Sequence, residues 1–303
     1  MKRSLLLVLV CCLLVLTGCR LYEKQPPIQA PTVPPTEHLA DAPITPPTCA
    51  PTESPSAESP STEARLPVGW FEENGVLHYR MADGSFATGA VTIDGVTRHF
   101  TSAGAYLVVV NPWNPVPDDY ILHLKELSTS VSVPGCYVDA SCYDAMTQMI
   151  LDCNAYSGAN VCVVSAYRSV ELQTENFNNK VNRYLDAGYD YETAYAEAAS
   201  IIAVPGTSEH HLGLAADIID TENWSLVQDQ ENLTGQQWLM EHCWEYGFIL
   251  RYPADKQDVT GIIYEPWHYR YVGVELAKEL RELNVTVEEY MGGLTSVDAL
   301  PLA

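Results

Sequence analysis

Basic side chains are scarce in this chain: 16 lysines and arginines face 39 aspartates and glutamates, a net charge of −23. Such a surface repels a phosphate backbone, which excludes nucleic acid as a partner. No Cys-x-x-Cys pair occurs among the nine cysteines, which argues against a thiolate metal site. The apolar run from Leu5 to Leu16 is too short to span a bilayer comfortably. Bulky apolar residues are almost missing from 20–66, after Leu21 and Tyr22, where Pro, Thr, Ser, Glu and Ala dominate. That stretch cannot bury enough surface to offset its ordering entropy and reads as an extended, partly polyproline tether.

The chain begins with an export signal. Lys2 and Arg3 precede the short apolar run, and Thr17-Gly18-Cys19 follow it. Leu16-Thr-Gly-Cys19 resembles a bacterial lipobox at the end of the 1–19 signal segment, which implies cleavage before Cys19 and a lipidated Cys19 as the first residue of the mature chain. The expected location is the outer face of the cell membrane, held by more than one acyl chain. Six cysteines lie beyond the signal, and export would permit disulfides, with Cys136 and Cys142 able to close a short loop. Their connectivity stays open.

Residues 67–107 form an imperfect repeat of about twenty residues: Gly69-Trp-Phe-Glu-Glu-Asn-Gly75 with Tyr79, then Thr88-Gly-Ala-Val-Thr-Ile-Asp-Gly95 with Phe100. Aromatic strands alternating with Asn-Gly and Asp-Gly turns predict β-hairpins. The stretch resembles choline- or glucan-type wall-binding repeats, which would make a cell-wall polymer a partner. The second copy departs from the first, with Ala90 where the first has Trp70. Two copies are few for a stacked repeat module, so a small β spacer is the competing reading.

The remainder, 108–303, holds the chemistry. Pro205-Gly-Thr-Ser-Glu-His-His-Leu-Gly-Leu-Ala-Ala-Asp217 offers His210 and Asp217, and Tyr264-Glu-Pro-Trp-His-Tyr-Arg270 offers Glu265 and His268. Two imidazoles and one carboxylate can hold a catalytic zinc with a position left open. A further carboxylate nearby can act as a base. Leu212 to Ile219 reads as a buried strand, in which Asp217 needs a partner. His210 has the wrong parity to share its face, so it belongs on the loop before the strand, with Gly213 allowing the turn. Pro266 marks an irregular position between Glu265 and His268. His211 reads as a satisfied structural residue.

These motifs resemble the signature of the VanY-like zinc D-alanyl-D-alanine carboxypeptidases: Ser208-x-His210-x-x-Gly213-x-Ala215-x-Asp217 followed by Glu265-Pro-Trp-His268. Ser165-Ala-Tyr-Arg-Ser169 with Gln173, Asn111-Pro-Trp-Asn-Pro115 and Gly247-Phe-Ile-Leu-Arg-Tyr-Pro253 extend the likeness in the same order. The resemblance implies Zn²⁺ on His210, Asp217 and His268, Glu265 as catalytic base, and peptidoglycan stem peptides as substrate. It also implies that Arg168 faces the oxyanion or the substrate carboxylate, with Gln173 and Ser208 in support. Other readings are an L,D-carboxypeptidase trimming the tetrapeptide stem, a dipeptidase acting on free D-Ala-D-Ala, and a non-catalytic wall-binding protein.

The expected fold is α+β, with helices on a mainly antiparallel sheet, and the resemblance implies the D-Ala-D-Ala peptidase fold shared with Hedgehog domains. Helices are expected over 118–131, 139–156 (with Tyr143, Met146, Met149, Ile150 and Cys153 inward), 171–187, 191–203, 235–246 and 274–283. Strands are expected at 161–166, 212–219 and 248–252.

Overall fold

The structure is a computed structural model that describes residues 67–73 and 76–292. The signal, Cys19, the tether and the Asn74-Gly75 turn lie outside the described residues. The repeat folds as two antiparallel hairpins, β1 (Gly69–Glu73) with β2 (Val76–Arg80), and β3 (Gly89–Ile93) with β4 (Val96–Phe100). Asp94 and Gly95 both have positive φ, 51° and 82°, as a two-residue type I′ turn requires. β5 (Tyr106–Leu107) adds to β4. Trp70 packs among Tyr79, Phe100 and Tyr106, with ring centroids 5.1–5.8 Å away. Ala90 in the second hairpin is exposed and supplies no counterpart.

The expected helix over 118–131 is absent. Instead β6 (Leu124–Glu126) pairs with β7 (Tyr137–Asp139). Asp139 takes the backbone that a helix would need: its carboxylate accepts from His123 N at 3.1 Å, and Ala140 N donates to His123 O at 2.7 Å. Tertiary pairing here overrides local helix preference.

Asp139 also starts α1 (Ala140–Ser157) by accepting from Ser141 N, and Gly158 ends it at φ 71°. Met146, Met149, Ile150 and Cys153 are buried as the apolar spacing demands, along with Cys142. Tyr143 is only half-buried and lies under the Lys125 ammonium, 3.4 Å from its ring centroid.

β8 (Val161–Ser165) follows, then α2 (Val170–Asp186), capped by Ser169, and α3 (Tyr191–Ala199), capped by Asp190. β9 (Ala215–Asp220) is buried along its whole length. α4 (Thr234–His242), β10 (Phe248–Leu250), the one-turn α5 (Gln257–Thr260), β11 (His268–Tyr271), α6 (Val274–Leu283) and α7 (Val287–Tyr290) complete the described chain.

Strands β10, β11, β9 and β8 form one antiparallel sheet in that order. Ala216, Ile218, Phe248, Tyr269, Val161 and Val163 pack into one core with α1 and Leu239 of α4. Alternation sends Asp217 to the other face. The five cysteines among the described residues are free thiols. Cys136 and Cys142 do not form the loop-closing disulfide, because their sulfurs point at different carbonyls, Val163 O and Asp139 O. Burial raises both thiols, to about 11 for Cys136 and about 12 for Cys142, which makes them poor nucleophiles.

The expected strand at 212–219 starts three residues late. Glu209–Leu212 make a 3₁₀ turn that Gly213 closes at φ 70°. A Cβ on Gly213 would meet Asp139 N at 2.9 Å and a Leu124 methyl at 3.0 Å. Gly213→Ala therefore combines left-handed strain with a backbone clash. It is expected to cost at least about 1–3 kcal/mol in chemical denaturation and to lower metal affinity, because His210 sits on the turn it distorts.

Candidate active site

Asp217 and His268 face each other across the β9–β11 ladder as direct partners. On its other side Asp217 is paired with Ser165 through a bulge in β8. His210 arrives from the 3₁₀ turn. Its Nδ1 lies 2.7 Å from Ala166 O, which makes Nδ1 the donor and leaves Nε2 with a free lone pair, 3.4 Å from Asp217 Oδ2. His268 Nδ1 lies 3.2 Å from Asp217 Oδ1. Ligand atoms of His210, Asp217 and His268 all fall within 4.8 Å of one another. The set fits a zinc ion on the chemistry of its donors: two imidazole nitrogens and one carboxylate, all buried, with the His210 tautomer fixed by a backbone carbonyl.

Glu265 lies beside this trio, its Oε2 3.8 Å from His268 Nδ1. It precedes β11 in a turn closed by His268 N donating to Glu265 O, so Pro266 marks an irregular position as expected. Arg168 follows β8 and is anchored three ways. Its guanidinium donates to Gln173 Oε1 and Ser165 Oγ, both at 2.8 Å, and to Asp217 Oδ2 at 3.4 Å. Gln173 is fully buried and also donates to Ala203 O. Its amide is thus spent on holding Arg168. Ser208 lines the same cleft, a cavity of about 390 Å³. His211 is satisfied on both nitrogens, by Arg168 O and Gly206 N, as a structural residue should be.

Burial sets much of the electrostatics. It raises Glu265 to about 8 and lowers His210 to about 4. It opposes charge on His268, but the facing carboxylates of Asp217, 3.2 Å from Nδ1, and Glu209, 3.7 Å from Nε2, outweigh it and bring His268 to about 9. It opposes charge on Asp217 as well, yet His210 and His268 hold that carboxyl well below the usual range.

Glu209 is the residue that spacing alone did not single out. It is buried behind His268, with Oε2 3.7 Å from His268 Nε2, and neither atom has a hydrogen-bond partner among the described residues. Its other oxygen takes Arg251 Nε and Arg270 Nη1, both at 2.8 Å. Burial alone would raise its pKa, but the two guanidiniums hold it below the usual carboxylate range. Arg251, fully buried, continues to Glu288 of α7 at 3.0 Å, and Glu288 accepts from Asn111 at 3.0 Å. The network thus ties the start and the end of the 108–303 region to the back of a metal-ligand candidate. The only sequence signal was the pairing of acidic and basic residues inside otherwise apolar segments.

A family profile described as VanY D-alanyl-D-alanine carboxypeptidase matches residues 135–274. A D-alanyl-D-alanine carboxypeptidase of Enterococcus faecalis is 40% identical over 61% of this chain, which spans 65% of that relative's length. A solved vancomycin-resistance D,D-pentapeptidase, VanY, in complex with Zn(II) is 38% identical. It superposes with a TM-score of 0.54 over 61% of this chain and 98% of that one. The LdcB LD-carboxypeptidase is 28% identical, with a TM-score of 0.51 over 69% and 96%.

Two outcomes test the site. Groups whose pKa is raised by folding stabilise the fold below their unfolded value and lose that contribution as pH rises through the folded value. For the metal-free chain, Glu265 and His268 then make stability fall between neutral pH and pH 9. Thermal unfolding with chelator should show this fall, and zinc should stabilise more at pH 9 than at pH 6.5. Glu209→Gln removes the charge facing two arginines and should cost about 3 kcal/mol or more. It should also weaken zinc binding about 10- to 100-fold, read by competition with a chromogenic chelator.

Proposed function

The chain belongs to the VanY family of D-alanyl-D-alanine carboxypeptidases, and from that premise we propose that it is a zinc-dependent carboxypeptidase that removes the C-terminal D-Ala from peptidoglycan stem peptides. The observation that carries the reading is one cleft in which His210, Asp217 and His268 converge within 4.8 Å beside the Glu265 carboxylate. A neighbouring structure, VanYB, is solved in complex with D-alanine-D-alanine.

His210 Nε2, a carboxylate oxygen of Asp217 and His268 Nδ1 would hold the zinc. When bound, zinc supplies Lewis acidity toward water and toward a carbonyl oxygen. Glu265 accepts a proton from the attacking water and returns it to the departing amine nitrogen. Its burial supports this role, because a carboxyl raised toward neutrality both takes and gives a proton near working pH. Arg168 offers a guanidinium held by Gln173 and Ser165, and it neutralises the oxyanion or the terminal carboxylate. Ser208 lines the cleft as a secondary contact. The likeness to LdcB keeps an L,D-specific version open as the second reading. Lipidation at Cys19, and with it the outer face of the cell membrane, is part of the same proposal and rests on the sequence motif.

Glu265→Ala should lower D-Ala release about 10²- to 10⁴-fold while zinc content, measured by metal analysis, stays at one ion per chain. Near-native turnover would remove Glu265 from the mechanism. Synthetic pentapeptide and tetrapeptide stems, compared in the same assay, separate the two stereochemical readings.

A further inference from the structure

Beyond the catalytic groups, the cleft runs along one side of α2. Gln173, Asn176, Asn179, Lys180 and Arg183 all line it. They recur at helical spacing, so they form one stripe that starts at the brace of Arg168 and leads away from it. Among the described residues, the only acidic ones lining this cleft are Asp217 and Glu265, both in the catalytic cluster. The acids of the same helix, Glu171, Glu175 and Asp186, do not line it. Lys180 and Arg183 form no ion pair among the described residues, and Arg183 is exposed. In a chain of net charge −23, an arm of the cleft with two uncompensated cations and no acid is a local reversal of sign.

The dimensions suit a peptide. An α-helix rises about 1.5 Å per residue, so Lys180 lies about 10 Å and Arg183 about 15 Å along the axis from Gln173. Extended peptide covers about 3.3–3.6 Å per residue, so these spans match about three and four residues. A stem whose last peptide bond sits at Glu265 and Arg168 would carry its upstream residues past both cations. The two asparagines can donate to and accept from its backbone on the way.

We propose that Lys180 and Arg183 form a subsite for a carboxylate carried by the stem two or three residues upstream of the bond that is cut. This rests on the carboxypeptidase reading and deepens it. The carboxylate could belong to a γ-linked glutamate, whose α-carboxyl stays free, or to a diamino diacid at the third position, and the test separates them.

The probes are L-Ala-γ-D-Glu-L-Lys-D-Ala-D-Ala, the same peptide with the glutamate α-carboxyl amidated, and the amidated peptide with meso-diaminopimelate in place of lysine. Each is titrated by calorimetry into the zinc-loaded full chain carrying Glu265→Ala, which keeps the peptide intact. The same titrations follow with Lys180→Gln and Arg183→Gln added. The free glutamate carboxylate, the diaminopimelate carboxylate, or both should tighten binding over the amidated lysine peptide. The double substitution should abolish that gain, roughly three- to tenfold for two exposed ion pairs, and leave the amidated lysine peptide unchanged. Raising salt should shrink the gain in the same way. Equal binding of all three peptides, or an equal loss for all three in the double variant, overturns the proposal. If the native chain releases no D-Ala from any of them, the carboxypeptidase reading falls, and the affinity difference still reports on the stripe.

Discussion

The pairing of Asp217 with His268 across two neighbouring strands is the constraint on which the site depends. Strand alternation then leaves no freedom: if Ala216, Ile218 and Tyr269 enter the core, Asp217 and His268 must meet on the opposite face. A buried carboxylate on that face needs cationic or hydrogen-bonding company, and His210, His268 and Arg168 provide it. Every other part of the site answers to this pair. The 3₁₀ turn brings His210 from the side, the bulge in β8 aims Ser165 at Arg168, and the turn before β11 carries Glu265.

The support behind the pair is ionic where most cores are apolar. Glu209 and Glu288 against Arg251 and Arg270 put two charges of each sign out of water. Such a cluster contributes little net stability, because desolvation offsets attraction, but removing one member is expensive. What it supplies is position. An apolar wall behind His268 would let the ring turn, whereas a carboxylate held by two guanidiniums favours one orientation of the imidazole.

The local geometry of the centre was legible in the sequence for physical reasons, whereas the ligand set and the base came from the family resemblance. An aspartate inside an apolar run cannot be a solvated surface charge, and a glycine ahead of it permits a turn that no other residue takes cheaply. Wrong parity placed His210 off the strand, and the structure has it on a 3₁₀ turn. The hairpin repeat was legible because Asp-Gly turns specify their own geometry. The segment over 118–131 was not, because its fate is decided by Asp139 and by a strand partner a dozen residues on. The ionic cluster was hidden for a related reason: local sequence does not say that Glu209, Arg251, Arg270 and Glu288 meet. Gln173 is expected in support of Arg168, and its amide accepts from the Arg168 guanidinium while donating to Ala203 O.

The aromatic nest of the hairpin module carries a consequence of its own. Arg98 lies 5.9 Å from the ring centroids of both Trp70 and Tyr106, and its guanidinium is fastened at 2.6 Å to Asp119 in the region that follows. A cationic wall substituent seeking those rings would compete with a positive group that is covalently part of the chain and already ion-paired. The rings that make the repeat resemble a receptor for such substituents thus also act as a clasp, holding Arg98 and, through Asp119, joining the hairpins to the region that follows.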